Sequence, residues 1–174
     1  MDQHVGKQRI SDWYLAYSND IYNYIYFLVS DHELAKDILQ DTFLRAYRNI
    51  NSFKGDNVRG WLFRIARNVT IDDIRKKKPI ASLLDSFSLL NANEPSPEEM
   101  AILNETEKEL YLSLSKLKLS YRDVIVLRKI KEFSISETAE ILGWTEKKVK
   151  VTLFRAIKAL RKELGKENFS HETI

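Results

Sequence analysis

SISETAEILGWTEKKVKVTLFRAIKALRKEL, residues 134–164, is the stretch that decides the fold. Ser134 and Glu137 stand three apart, the spacing at which side chain and backbone satisfy each other's orphan groups at a helix start. Ile135, Ala139 and Leu142 share the inward face of that helix, and Gly143 supplies a left-handed stop. Thr145 can cap a second helix, with Trp144 placed to staple onto Val149. The buried stripe of this second helix is Val149, Leu153, Ala156, Leu160 and Leu164. Two short amphipathic helices meeting across a glycine make a helix-turn-helix.

The second helix is basic on its other face. Between Thr145 and Lys166, the cations Lys147, Lys148, Lys150, Arg155, Lys158, Arg161, Lys162 and Lys166 face only Glu146 and Glu163, a net charge of +6. Phosphates are the natural partner of such a face. A solvated amphipathic pair at the end of a bundle is the plain alternative. Position argues against it, because the charge lies on the helix that such a motif lays in the major groove. Val151 and Thr152 are small enough there to meet a thymine methyl.

The whole chain fits this reading. Its 174 residues include 5 Gly and 3 Pro amid abundant Leu, Ile, Lys and Glu, which predicts an all-α protein. There is no cysteine, and His4, His32 and His171 lack metal-ligand spacing, so neither a metal nor another cofactor is expected. The start, MDQHVGKQR, lacks the apolar segment of a signal peptide, and no apolar run is long enough to span a bilayer. A cytoplasmic protein without direct membrane insertion is the expectation. The formal charge of +3 conceals opposing blocks: +5 over Arg59–Lys78, −6 over Asp85–Glu109, then the +6 helix. Two basic ends around an acidic connector suit a chain that grips nucleic acid at both ends.

Helical periodicity runs from Ile10 through Val29 and restarts under a capping pair, Ser30 and Glu33. Leu34, Ile38, Phe43, Ala46 and Tyr47 mark one face of the second helix. Asn49 to Gly60 is turn chemistry, and a third helix follows from Trp61 until Pro79 forbids continuation. These elements form a domain over 1–78. Residues 79–96 read as a linker. A helix from Pro97 to Lys116, the segment SYRDVIVLRKI and the helix-turn-helix make the second domain, 97–174.

DILQDTFLRAYRNI followed by WLFRIARNVTIDDIRKKK resembles the extracytoplasmic-function (ECF) sigma factors, the smallest group of the sigma-70 family, and the match covers nearly the whole chain. Asp37, Gln40, Asp41, Phe43, Arg45 and Ala46 fall on that family's region 2.2. Trp61, Leu62, Ile65, Ala66, Asn68, Asp72, Arg75 and Lys76 fall on regions 2.3 and 2.4, and the helix-turn-helix on region 4.2. The resemblance implies two small helical domains, sigma regions 2 and 4, on a flexible linker. It implies a dissociable subunit that binds core RNA polymerase, recognises the minus-10 and minus-35 promoter elements and helps open the duplex, catalysing nothing itself.

The resemblance also distributes roles. Asp37, Gln40, Asp41, Leu44, Arg45 and Arg48 would dock on the polymerase clamp helices, leaving Leu34, Ile38 and Phe43 to the core. Ser52, Phe53, Lys54, Asp56 and Asn57, with Asn68 and Asp72, would capture an unstacked minus-10 base of the melted non-template strand, while Arg64, Arg75 and Lys76 hold its backbone. Trp61 reads more readily as core than as a stacking platform. Lys147, Lys148, Lys150, Val151, Thr152, Arg155 and Lys158 would meet duplex DNA at the minus-35 element. The family more often has Ser and Arg at the positions of Val151 and Thr152, and a smaller aliphatic at Trp144, so fewer and more apolar minus-35 contacts are expected. Members are commonly restrained by an anti-sigma factor. The competing readings are a freestanding helix-turn-helix regulator, which leaves the N-terminal domain unexplained, and a nucleic-acid enzyme, for which no nucleophile–base pair, metal cluster or phosphate loop is present.

Overall fold

The computed structural model describes residues 2–77, 101 and 104–171, with side chains described as far as 165; the linker expected over 79–96 lies outside them. Helix α1 spans Gln3–Val29, starting seven residues before the expected Ile10 because Asp2 caps it through the His4 amide. Ser30 ends it in the left-handed region, φ 52°. The expected capping pair therefore shifts: Ser30 closes α1, and Asp31 caps α2 (His32–Arg48) by accepting from the Leu34 amide at 3.0 Å. A single 3-10 turn, Ile50–Ser52, precedes α3 (Val58–Lys76), where Asn57 Oδ1 accepts from the Gly60 amide.

Ile21, Tyr24, Ile25 and Leu28 recur at helical spacing on α1, all fully buried. α1 packs there on α2 and α3, which also pack on each other, so the first domain is a three-helix bundle. Helix α4 (Glu105–Ser115) opens with a capping box between Asn104 and Glu107, and α5 (Leu119–Ile125) runs on into a π-helical turn, Val126–Ile130. The helix-turn-helix follows as α6 (Ile135–Leu142) and α7 (Glu146–His171). Both halves of the Ser134–Glu137 box are made, Gly143 adopts φ 66°, and Thr145 Oγ1 accepts from the Lys148 amide. On α7, Val149 and Ala156 are fully buried while Leu153 and Leu160 are half-buried against the same core.

The second domain does not stand apart from the first. α4 and α5 pack on α1, α6 packs on α3, and one hydrophobic cluster runs through both halves.

Candidate polymerase and nucleic-acid interfaces

Asp37, Gln40, Asp41, Leu44, Arg45 and Arg48 repeat at three- and four-residue intervals, which puts them on one face of α2. Asp37, Gln40 and Arg48 are exposed, and Leu44 is 52% exposed in the middle of this polar stripe. The opposite face carries Ala35, Ile38, Phe43 and Ala46 into the core. Arg45 is tethered: its guanidinium lies 3.4 Å from the Asp41 carboxylate and 3.2 Å from that of Asp72 on α3. One residue expected to touch polymerase thus holds one expected to touch DNA.

That pairing divides the expected minus-10 group. Asp72 lines a cleft with Asp37, Asp41, Arg45 and Lys76, whereas Ser52, Trp61, Arg64 and Asn68 line a neighbouring one. Lys54, Asp56 and Asn57 line a third cleft together with Phe53, Trp61 and Arg64. Trp61 serves in two ways. It packs against Trp13 and Phe53 with ring centroids 5.9 and 5.1 Å away, yet remains half-exposed and borders two of the clefts. Arg75 and Lys76 are exposed at the end of α3.

On α7, Lys147, Lys148, Lys150, Val151, Arg155 and Lys158 are exposed and Thr152 is half-exposed. Lys148 also places its ammonium 4.5 Å above the Trp144 ring. Phe154, 71% exposed beside Val151, adds an apolar residue that periodicity did not single out.

Charges buried between the two domains escaped the sequence reading altogether. Tyr24 Oη donates to Asp123 Oδ1 at 2.6 Å, and Arg67 Nε donates to Oδ2 at 3.3 Å. Burial pushes the Asp123 carboxyl above the usual carboxylate range, with Arg67 opposing, and burial beside Asp123 drives the Tyr24 phenol well up. Arg122, 1% exposed, donates to the carbonyls of Phe27, Leu28 and Leu117, satisfying the end of α1; burial lowers its pKa. Asp20 accepts from Arg59 Nε at 2.8 Å and Lys131 Nζ at 2.7 Å. Burial raises its pKa, but those two cations more than offset that and leave it lowered. Arg59 also donates to the Lys131 carbonyl and lies over the rings of Phe63 and Phe133. The available signal was a charge pair, Arg122–Asp123, set inside the apolar run LSYRDVIVL. Arg59 and Arg67, counted with the basic block, point into this interface rather than toward a phosphate.

Comparison with known proteins places the two halves in one class. Residues 13–80 match the Sigma-70 region 2 family and residues 107–160 match Sigma-70, region 4. The ECF RNA polymerase sigma factor SigW of Bacillus subtilis is 39% identical over 85% of this chain and 84% of its own length. SigM of the same organism is 35% identical over 87% of this chain and 93% of its own. Among solved structures, the sigma factor RpoE in complex with the anti-sigma factor NepR from Bartonella quintana shares 25% identity at a TM-score of 0.73, covering 91% of this chain and 98% of that one. CnrH in complex with the cytosolic domain of CnrY, at 24% identity and a TM-score of 0.65, shows the same fold. The chain belongs to the ECF group of sigma-70 RNA polymerase sigma factors.

Among the described residues no helix is long and apolar enough to cross a membrane, and no group of three or more His, Asp or Glu could hold a metal ion.

Proposed function

We propose that this sigma factor divides its work among three surfaces: the α2 stripe Asp37–Arg48 for core polymerase, the clefts around Ser52–Asn57, Trp61, Arg64 and Asn68 for the melted minus-10 strand, and the exposed face of α7 for the minus-35 duplex. The observation that carries the division is the α2 stripe. Its polar residues and Leu44 remain at the surface while the opposite face is wholly given to the core, the mixed polarity of a docking patch. Asp72 acts through Arg45, holding the polymerase stripe to the helix that bears the minus-10 residues. The domains fall at 1–78 and 97–174. The factor catalyses nothing by itself and works in the cytoplasm, where polymerase and promoter are.

Both solved relatives are described as complexes, RpoE with the anti-sigma factor NepR and CnrH with CnrY, and an anti-sigma factor is proposed for this chain as well. The test is reconstitution. Core polymerase with the chain should co-elute and initiate at a specific promoter, which neither does alone. A chain that binds promoter duplex by itself and ignores core polymerase would be the freestanding regulator instead.

A further inference from the structure

Three aromatic rings meet at the edge of the first domain, each from a different element. Trp13 of α1 lies 5.5 Å from Phe53 in the turn and 5.9 Å from Trp61 of α3, centroid to centroid, and Phe53 and Trp61 are 5.1 Å apart. All three are half-exposed, so the cluster is a rim rather than a sealed core. Trp61 borders two of the clefts, and Arg64 lines both with it. Beyond the cluster, one helical turn before Trp13, Arg9 sets its guanidinium over the Trp13 ring, 4.9 Å from its centre. Arg9 is half-exposed as well. It precedes the residues that match the region 2 family, 13–80, and Trp13 is the first of them. A guanidinium stacked on a ring is fixed in its plane while its edge still donates hydrogen bonds, which suits it to a phosphate. Lys54 and Arg64, both exposed, line the third cleft with Phe53 and Trp61. Cations spaced around half-exposed aromatics supply what a single strand needs, charge for its backbone and ring surface for its bases.

We propose that Arg9, held in place by Trp13, is a further contact for the melted non-template strand, gripping its backbone beside the captured minus-10 base. The proposal rests on the reading of the clefts around Trp61 as the strand site, and it lengthens that site onto α1. A strand lying in either cleft passes Trp61, and the rings continue the same surface from Trp61 through Trp13 to Arg9. Arg9 touches the strand. Trp13 acts through Arg9 and is a positioning residue.

The test uses holoenzyme assembled from the full chain and a fluorescein-labelled non-template strand carrying the minus-10 element of a promoter that it opens. Arg9→Gln should weaken strand binding about three- to tenfold. It should also shallow the log–log salt dependence by about 0.7, the share of one single-strand phosphate. Arg9→Lys keeps the charge and should keep the salt slope. Trp13→Leu should reproduce the loss of affinity and Trp13→Phe should rescue it. Arg9→Gln combined with Trp13→Leu should bind no more weakly than either alone, because both remove one contact. Co-elution with core polymerase and binding of a minus-35 duplex should be unchanged throughout. If Arg64→Ala and Asn68→Ala weaken strand binding while Arg9→Gln changes neither affinity nor salt slope, the proposal is overturned and the clefts stand as the strand site. If none of the three weakens it, with a holoenzyme that still opens the promoter, the cleft reading and the proposal fall together. Loss of core co-elution by Arg9→Gln, with strand affinity intact, would give Arg9 to polymerase and overturn the proposal as well. Circular dichroism melting checks each variant, and should Trp13→Leu melt early, the two Arg9 variants decide.

Discussion

Gln40 and Asp41 are adjacent, yet they differ in what their removal does to the fold. Gln40 is exposed, and Asp41 makes a half-exposed ion pair with Arg45 one helical turn away, worth a few tenths of a kcal/mol. Replacing both with Ala should weaken co-elution with core polymerase and leave the melting temperature nearly unchanged. Normal binding by the double variant would remove this face from the interface. Asp20 is a different kind of residue, because its cations hold its pKa below the ordinary 3.8. The unfolded chain binds that proton more tightly, so the stability it contributes is full above 3.8 and is lost as pH falls through the lower folded value. Asp123 has the opposite sign: its raised pKa gives a contribution present below 3.8 that is lost as pH climbs through the folded value. In urea titrations Asp20→Asn should therefore be less stable than the parent at neutral pH, with the gap closing in acid. A gap that is constant with pH would mean the Asp20 charge contributes nothing.

Helices here begin and end where single side chains permit. Gly143 closes α6 at φ 66°, and the Trp144 amide reaches back to the Ala139 carbonyl at 2.9 Å, which sets the angle at which α7 leaves. A Cβ at Gly143 would meet nothing within 4 Å, so Gly143→Ala should cost only the left-handed backbone penalty, about 1–2 kcal/mol in urea denaturation. A larger loss would show that the turn is also packed. The α7 face makes a separate claim. Arg155→Ala or Lys150→Ala should cost roughly 1–3 kcal/mol of promoter binding if the side chain meets a base edge. If it meets a phosphate, the salt dependence should shallow by about one ion. Footprinting at varied salt distinguishes these, and no change in either would return α7 to a solvated surface.

Across the whole molecule, one core and a buried carboxylate join two domains that match separate family regions. Asp123 sits 1% exposed between Tyr24 and Arg67, so Asp123→Ala leaves a buried phenol and a partly buried cation without their acceptor, a loss of about 3 kcal/mol. Parting the domains would let water solvate both groups at less cost than unfolding either bundle. Calorimetry should then show a single transition for the parent chain and two for Asp123→Ala. One transition, merely shifted down, would mean the domains have no stability of their own.

Much of this was legible before the fold. Capping and turn chemistry act over three or four residues, which is why the Ser134–Glu137 box, the Gly143 stop and the Thr145 cap could be read from spacing, and why the α2 stripe emerged with its polar face outward. The same locality explains the error at Ser30. Ser30 and Asp31 are both good caps, and only the path of the chain turning from α1 into α2 selects Asp31. Spacing alone could not divide the minus-10 group into separate clefts, because that depends on Arg45 reaching 27 positions along the chain to Asp72. Nor could composition reveal that Arg59 and Arg67 face inward, since a cation's sign says nothing about which carboxylate lies opposite. The sequence by itself determined the all-helical class, the helix-turn-helix, the polar face of α2 and the family. The tertiary structure alone decided that the two domains close on each other, because burying Asp123 and pairing Glu137 with Asn57 require partners about 80 to 100 residues away, brought together only by packing.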